Sequence, residues 1–351
     1  MTDVQAEQPL GSPATGSTTL ARVVRLLSFR NISALYIFGA LFVLFALWIP
    51  ETFLTSGVWR SLLDQGALTA IVAIGLVLPL SAGAFNLAVG AEVGFGAILV
   101  AWLLSKQSVP MAPAIILTIC AGGVIGLVSG LLVTRARIDS FIATLGVSSI
   151  LLAAIAWLSG SEQILGLGAN FQSIATKQFL GLTNPVWIML VVAAVLAYVM
   201  DRTPVGRRIY ATGGNEAAAL LAGVRTSLTI ILCLVGCGVL AAVAGLLASA
   251  RLASGDPTIG PAYLLPAYAA AFLGSTQFRG GRYNVWGTVV AVYVLSTGVK
   301  GLQLAGAPVW IPDLFNGLAL LIAVGMARFQ GKTRRAQAIR RTVRRSARSS
   351  S

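Results

Sequence analysis

Two polar side chains stand where polar side chains are expensive. Asn86 and Glu92 lie six residues apart in a stretch that is otherwise apolar. On an unbroken helix six residues are a rise of roughly 9 Å and a turn of about 240°. In a hydrocarbon core about 30 Å thick, that rise puts Glu92 well below the surface. A carboxylate at such depth points to a polar pathway or to a buried partner on a neighbouring helix. Both side chains can serve one narrow path only if the helix between them is interrupted. The run Ser81-Ala82-Gly83-Ala84-Phe85-Asn86-Leu87-Ala88-Val89-Gly90 carries no charge and several helix-breaking residues, so it reads either as a broken helix at membrane depth or as a tight interfacial hairpin. Asp64, followed by Gln65, is a weaker case near the end of the preceding apolar run. Asn86, Glu92 and Asp64 are the candidate pathway residues.

Other chemistries find few groups to use. The chain has no histidine, which excludes imidazole catalysis and histidine metal ligation. Cys120, Cys233 and Cys237 all lie in apolar runs, where cysteine behaves as a small hydrophobe, and neither a disulfide framework nor a zinc site has its partners. The stretch from Gly325 to Gly331-Lys332-Thr333 resembles a phosphate-binding loop but has the wrong glycine spacing and ends an apolar run instead of following a strand. No catalytic residue, cofactor or metal is expected.

The elements that must position these groups follow from composition. Of 351 residues, 57% are apolar and 10% charged, against about 25% charged in an ordinary soluble domain. The expected class is an all-α polytopic membrane protein. Apolar run length gives ten candidate spans, at 33–50, 61–81, 86–105, 111–134, 141–159, 185–200, 227–250, 258–275, 284–304 and 311–328. With ten spans, 20 of the 25 Lys and Arg residues fall on the side shared by the termini, leaving Arg60, Lys106, Lys177, Arg251 and Lys300 on the other. The positive-inside rule then puts both termini in the cytoplasm. Residues 1–32 read as a disordered cytoplasmic tail, too polar and acidic for a cleavable signal peptide. Residues 33–328 form the transmembrane domain, and residues 329–351 a basic cytoplasmic tail. The formal charge of +14 is concentrated in that tail, which fits anionic lipid headgroups and topology better than nucleic acid.

Gly122, Gly126 and Gly130 form a small-residue ridge repeating every four positions, a helix-packing face within the chain or between two copies. The cytoplasmic loop 201–226 has the grammar of a short helix. Gly213 and Gly214 permit a turn, Asn215 is a good N-cap, Glu216 suits the positive helix end and Gly223 supplies a stop. Seven residues, 216–222, cannot hold a helix alone in water, so the segment must pack on its own bundle or on a soluble partner.

This loop resembles that of the membrane subunits of bacterial ABC importers for ribose-like monosaccharides. The family's Thr-x-x-Gly-Arg-x-x-Tyr-Ala-x-Gly-x-Asn-x-x-Ala-Ala pattern is met by Thr203, Gly206, Arg207, Tyr210, Ala211, Gly213, Asn215, Ala218 and Ala219. Phe141-Ile142-Ala143-Thr144-Leu145-Gly146, Gly255-Asp256-Pro257 after Arg251, and Gly280-Gly281 with Trp286-Gly287-Thr288 are also similar. The resemblance covers about residues 35–330. It departs at Asn86, where the family carries an acid, at Ala88, where it carries serine, and at Arg282-Tyr283-Asn284, where it carries small residues.

The resemblance implies a permease without covalent chemistry of its own, in a bacterial cytoplasmic membrane. It would work with a second copy or a homologous permease, with ATP-binding subunits inside, and with a solute-binding protein outside. Residues 204–223 would then be the coupling element, with Gly206, Arg207, Tyr210, Gly213, Gly214, Asn215, Glu216, Ala218 and Ala219 at the ATPase contact. Two other readings of the residues stay open. One is an ion- or proton-coupled carrier in which Glu92 titrates. The other is a membrane scaffold that recruits partners through its loop and tail.

Overall fold

The computed structural model describes residues 33–277 and 281–325. The tails expected at 1–32 and 329–351 and the last residues of the tenth expected span lie outside them. Helices account for nearly all the regular structure: α1 (Ser33–Trp48), α2 (Pro50–Phe53), α3 (Ser56–Ala82), α4 (Val89–Ser105), α5 (Met111–Thr134), α6 (Ser140–Ser159), α7 (Ala169–Thr176), α8 (Asn184–Arg202), α9 (Pro204–Gly214), α10 (Glu216–Leu221), α11 (Thr226–Leu252), α12 (Pro261–Gln277), α13 (Val285–Leu304) and α14 (Ile311–Gly325). Between α7 and α8 a minimal antiparallel hairpin pairs β1 (Gln178–Phe179) with β2 (Leu182–Thr183). Its apex is formed by Leu180 and Gly181 at φ +51° and +79°.

Among the described residues, six helices are long and apolar enough to cross a membrane: α3, α5, α6, α8, α11 and α13. Helix α4 and helix α14 are apolar but shorter, as is the part of α1 from Phe38 to Trp48. The chain is therefore an all-α, multi-pass membrane protein.

Helices α3 and α11 form the centre. Helix α3 is buried at Gly66, Ala67 and Leu68 and then without interruption from Ala70 to Ala82, while α11 packs against α3, α4 and α5. Helices α5 and α6 stand outside and expose Ile116, Leu127, Ile142, Ile150 and Trp157, as lipid-facing helices do.

Small residues set the spacing of this centre. Gly122 meets the backbone of Gly238, Gly126 that of Leu234 and Val235, and Gly130 lies against Ile231, so the ridge on α5 faces α11 of the same chain. A Cβ at Gly126 would lie 2.7 Å from the Val235 Cα. Close backbone approach of this kind replaces the hydrophobic drive that lipid does not supply.

Candidate functional site

The segment between α3 and α4 is a true break. Gly83, at φ +85°, closes α3: its N–H donates to Leu80 O at 3.2 Å and the Ala84 N–H to Pro79 O at 2.9 Å. This is a Schellman ending, in which the left-handed residue turns the last carbonyls back on themselves. The next four N–H groups each find an oxygen on a side chain. Phe85 donates to Ser140 Oγ at 3.1 Å, Asn86 to Tyr268 Oη at 3.1 Å, Leu87 to Thr144 Oγ1 at 3.0 Å, and Ala88 to Asn86 Oδ1 at 3.1 Å. Non-helical backbone persists away from water only where such partners cover it. Ser140 and Thr144 belong to the first turns of α6, and Thr144 is the threonine of the Phe-Ile-Ala-Thr-Leu-Gly run.

The break brings together the two groups that an unbroken helix would separate. Asn86 Nδ2 lies 3.2 and 3.1 Å from the two carboxylate oxygens of Glu92, and 3.3 Å from Cys237 Sγ on α11. Asn86 is fully buried and Glu92 is 1% exposed. The buried acid thus has its partner on its own chain segment. The chain between α3 and α4 is non-helical and lies against Gly213 of the loop 201–226, an arrangement common to a broken helix and an interfacial hairpin.

Asp64 sits apart from this pair. Its Oδ2 is 3.0 Å from Arg251 Nε at the end of α11, and its Oδ1 accepts from Thr183 Oγ1 at 2.7 Å, in the hairpin outside the bundle. One carboxylate therefore ties α3, α11 and the β2 strand.

Beside Asp64 a cavity of about 360 Å³ opens between α3, α12, α13 and α14. Gln65 and Thr69 line it from α3, Tyr263 from α12, Ser296, Lys300 and Gln303 from α13, and Asp313 and Asn316 from α14. Leu62, Ile259, Pro266, Val292, Leu295 and Val299 supply apolar walls. Most of these polar positions are missed when the chain is read in one dimension. Their signal is the spacing of Ser296, Lys300 and Gln303 and of Gln65 and Thr69, which places polar groups three or four residues apart on one face of an otherwise apolar helix.

At the opposite end of α3 and α13 lies the loop 201–226. It forms two helices, α9 and α10, where the sequence predicts one short helix. Gly213 and Gly214 do not make the turn between them. They end α9, and Gly213 lies so close to Ser81 O and to the backbone of Ala82 and Gly83 that no Cβ fits there. The turn falls at Asn215, whose Oδ1 accepts from the Ala218 N–H at 3.0 Å as an N-cap. Helix α10 runs from Glu216 to Leu221, and Gly223, at φ +81°, follows it. Gly206 is pressed against the backbone of Met200. Tyr210 Oη donates to Tyr283 O at 2.7 Å, and the Arg282 guanidinium stands 5.8 Å from the centre of the Tyr210 ring. Glu216, Leu220 and Leu221 are exposed, whereas Ala219 is buried toward the bundle. Asn284 then caps α13, accepting from the Gly287 N–H at 2.6 Å and donating to Gly274 O at 3.0 Å.

Comparison with known proteins places this architecture. The family model described as "Branched-chain amino acid transport system / permease component" matches residues 59–324. The ribose import permease protein of Bacillus subtilis is 35% identical over 266 residues, covering 75% of this chain and 82% of that protein. The ribose import permease protein of Haemophilus influenzae is 32% identical, over 75% of this chain and 83% of that one. The L-arabinose ABC transporter permease protein of Azospirillum brasilense is 29% identical, over 86% and 89%. No solved structure matches. By this family model and these relatives, the chain belongs to the bacterial ABC importer permease subunits of the ribose and related sugar transport family.

Proposed function

We propose that this chain carries a monosaccharide or related polyol across the bacterial cytoplasmic membrane, receiving it from a solute-binding protein and drawing on ATP hydrolysed by separate subunits. The observation that carries this reading is the pair α9 and α10. A six-residue helix with a side-chain N-cap and an exposed Glu216-Leu220-Leu221 surface, held against the bundle by Ala219, is built to be held from its other side as well. The ribose, allose and arabinose permeases among its relatives support a sugar as cargo.

The finer parts of the reading rest on charge and position. Ten spans with both termini in the cytoplasm account for the concentration of Lys and Arg on one side. In that arrangement α9 and α10 face the cytoplasm, and the outer ends of α3, α11 and α13 carry Asp64, Arg251 and Lys300. Gly206, Arg207, Tyr210, Gly213, Gly214, Asn215, Glu216, Ala218 and Ala219 form the ATPase-coupling element. Asp64, with Arg251, flanks the outer part of the solute path, while Asn86 and Glu92 shape its inner part by fixing the break. A second copy or a homologous permease completes the pathway.

Co-purification of the tagged chain from its native membrane in mild detergent tests the assembly. Recovery with an ATP-binding subunit, and uptake of a sugar in proteoliposomes that requires ATP, is the expected result. Uptake by the chain without any ATPase would overturn it. Uptake that collapses with the proton gradient while ATP is intact would instead assign a proton-coupled carrier using Glu92.

A further inference from the structure

Four helices converge polar side chains on one space at the end of the bundle remote from α9. Gln65 and Thr69 are one turn apart on α3, and Ser296, Lys300 and Gln303 follow one another down a face of α13. Gln65 and Gln303 are exposed, while Thr69, Ser296 and Lys300 are partly so. Amide and ammonium groups within apolar helices do not face lipid without cost, and their ordinary explanation is a watery cavity that a solute enters. At about 360 Å³ the space is of the size that holds a small molecule.

The chemistry of the lining selects among small molecules. Six of the polar groups are uncharged: Gln65, Thr69, Tyr263, Ser296, Gln303 and Asn316. Each amide or hydroxyl offers both a donor and an acceptor, which matches hydroxyls that themselves donate and accept. Lys300 and Asp313 add one charge of each sign, so the lining has no net charge to attract an ion. The apolar walls formed by Leu295, Val299 and Pro266 suit the C–H faces of a pyranose or furanose ring. A zwitterionic amino acid would pair with Lys300 and Asp313 and leave most of the six neutral groups, of which Asn316 alone is buried, to water.

We propose that this cavity is a holding site for a neutral polyhydroxylated solute within the permease itself. The proposal rests on the sugar-import reading and adds to it where the solute pauses and which side chains hold it.

The test uses the complete importer, with its ATPase subunits and binding protein, in proteoliposomes. Because Cys120 is exposed whereas Cys233 and Cys237 are buried, Cys120→Ser supplies a quiet background for Ser296→Cys and, separately, Gln65→Cys. Uptake of D-ribose, D-allose and L-arabinose is measured first, to find which sugar is carried. Each variant is then treated from the outer face with a charged methanethiosulfonate, with and without that sugar in excess. Both cysteines should react, and the sugar should slow the reaction about threefold or more, as a ligand occupying most of its sites does. L-Leucine should leave the rate unchanged.

A variant that still takes up the sugar yet reacts equally fast in its presence overturns the holding site while the importer reading stands. So does a cysteine that does not react in an importer active in uptake. Protection by L-leucine overturns the assignment to polyols. Failure of the parent complex to take up any of the three sugars removes the sugar-import reading, and the proposal with it.

Discussion

At the scale of single residues, the Asn86 and Glu92 pair is a matter of one donor and one acid, both buried. Removing the amide leaves the carboxylate buried among apolar helices, and an orphaned buried acceptor costs about 1–3 kcal/mol, more when charged. Asn86→Leu should therefore lower the thermal midpoint of the detergent-solubilised chain. Glu92→Gln retains an oxygen for Asn86 Nδ2 and should change it far less. Combining Asn86→Leu with Glu92→Leu should recover part of the loss, because replacing both partners removes the unmet group. Equal midpoints for all three variants would show that the pair contributes nothing to stability. Asp64 is a different case, since it holds both Arg251 and Thr183. Asp64→Ala removes both the acceptor for Thr183 and the charge beside Arg251. It should loosen the β1 and β2 hairpin, read as faster proteolysis between residues 177 and 184.

At the scale of elements, glycine contacts and caps decide which helices can meet. Gly126→Val adds atoms where the Leu234 and Val235 backbone already lies, and such overpacking costs typically about 1–3 kcal/mol. The expected outcome is a lower yield of folded chain by size exclusion, with Gly146→Val, which has no neighbour within 4 Å, as the control. Asn215→Ala removes the N-cap of α10, worth about 1 kcal/mol. Six residues have little else to hold them, so α10 should fray while the bundle keeps its midpoint. Hydrogen exchange at residues 216–221 measures this directly. If α10 is the docking element, ATP hydrolysis should also lose its coupling to uptake, and unchanged coupling would remove it from that role.

The sequence shows its helices and loops through different signals. Apolar run length locates the long helices to within a few residues because lipid imposes both length and composition. The cap at Asn215 and the glycine stop at 223 are legible because capping is local chemistry. The roles of Gly213 and of the break's covering side chains are not. A glycine that permits a turn and one that admits another backbone look identical in one dimension. Likewise, nothing in the spacing of Ser140, Thr144 and Tyr268 points to residues 85–87, because those contacts span 55 to 182 positions. The polar lining of the cavity is written in helical stripes, but single polar residues near span ends read as boundaries until four helices bring them together.

For the whole molecule, the cavity and the loop helices stand at opposite ends of the same two rods. On α3, the 13 positions from Thr69 to Ala82 rise roughly 20 Å, and α13 carries Lys300 at one end and Tyr283's neighbour Asn284 at the other. Helix α9 joins the two rods: Gly213 lies against Ser81 and Ala82 of α3, and Tyr210 donates a hydrogen bond to Tyr283 O beside α13. Tyr210→Phe should leave stability within about 0.5–1.5 kcal/mol of the parent, the net worth of one hydrogen bond. In the proposed importer it should lower sugar transported per ATP hydrolysed, and an unchanged ratio would exclude Tyr210 from coupling.

The covered break also bears on how the chain is made. When ribosomal synthesis has delivered α3 and α4, the N–H groups of Phe85, Asn86 and Leu87 have no oxygens to meet. Two of these oxygens arrive with Ser140 and Thr144, and the third only with Tyr268. Until then bare amides cannot rest in hydrocarbon. The nascent helix pair must linger beside water or within the insertion machinery until Tyr268, 182 positions beyond Asn86, has emerged. A chain truncated before Tyr268 should therefore remain a substrate for membrane quality control, however apolar its helices are.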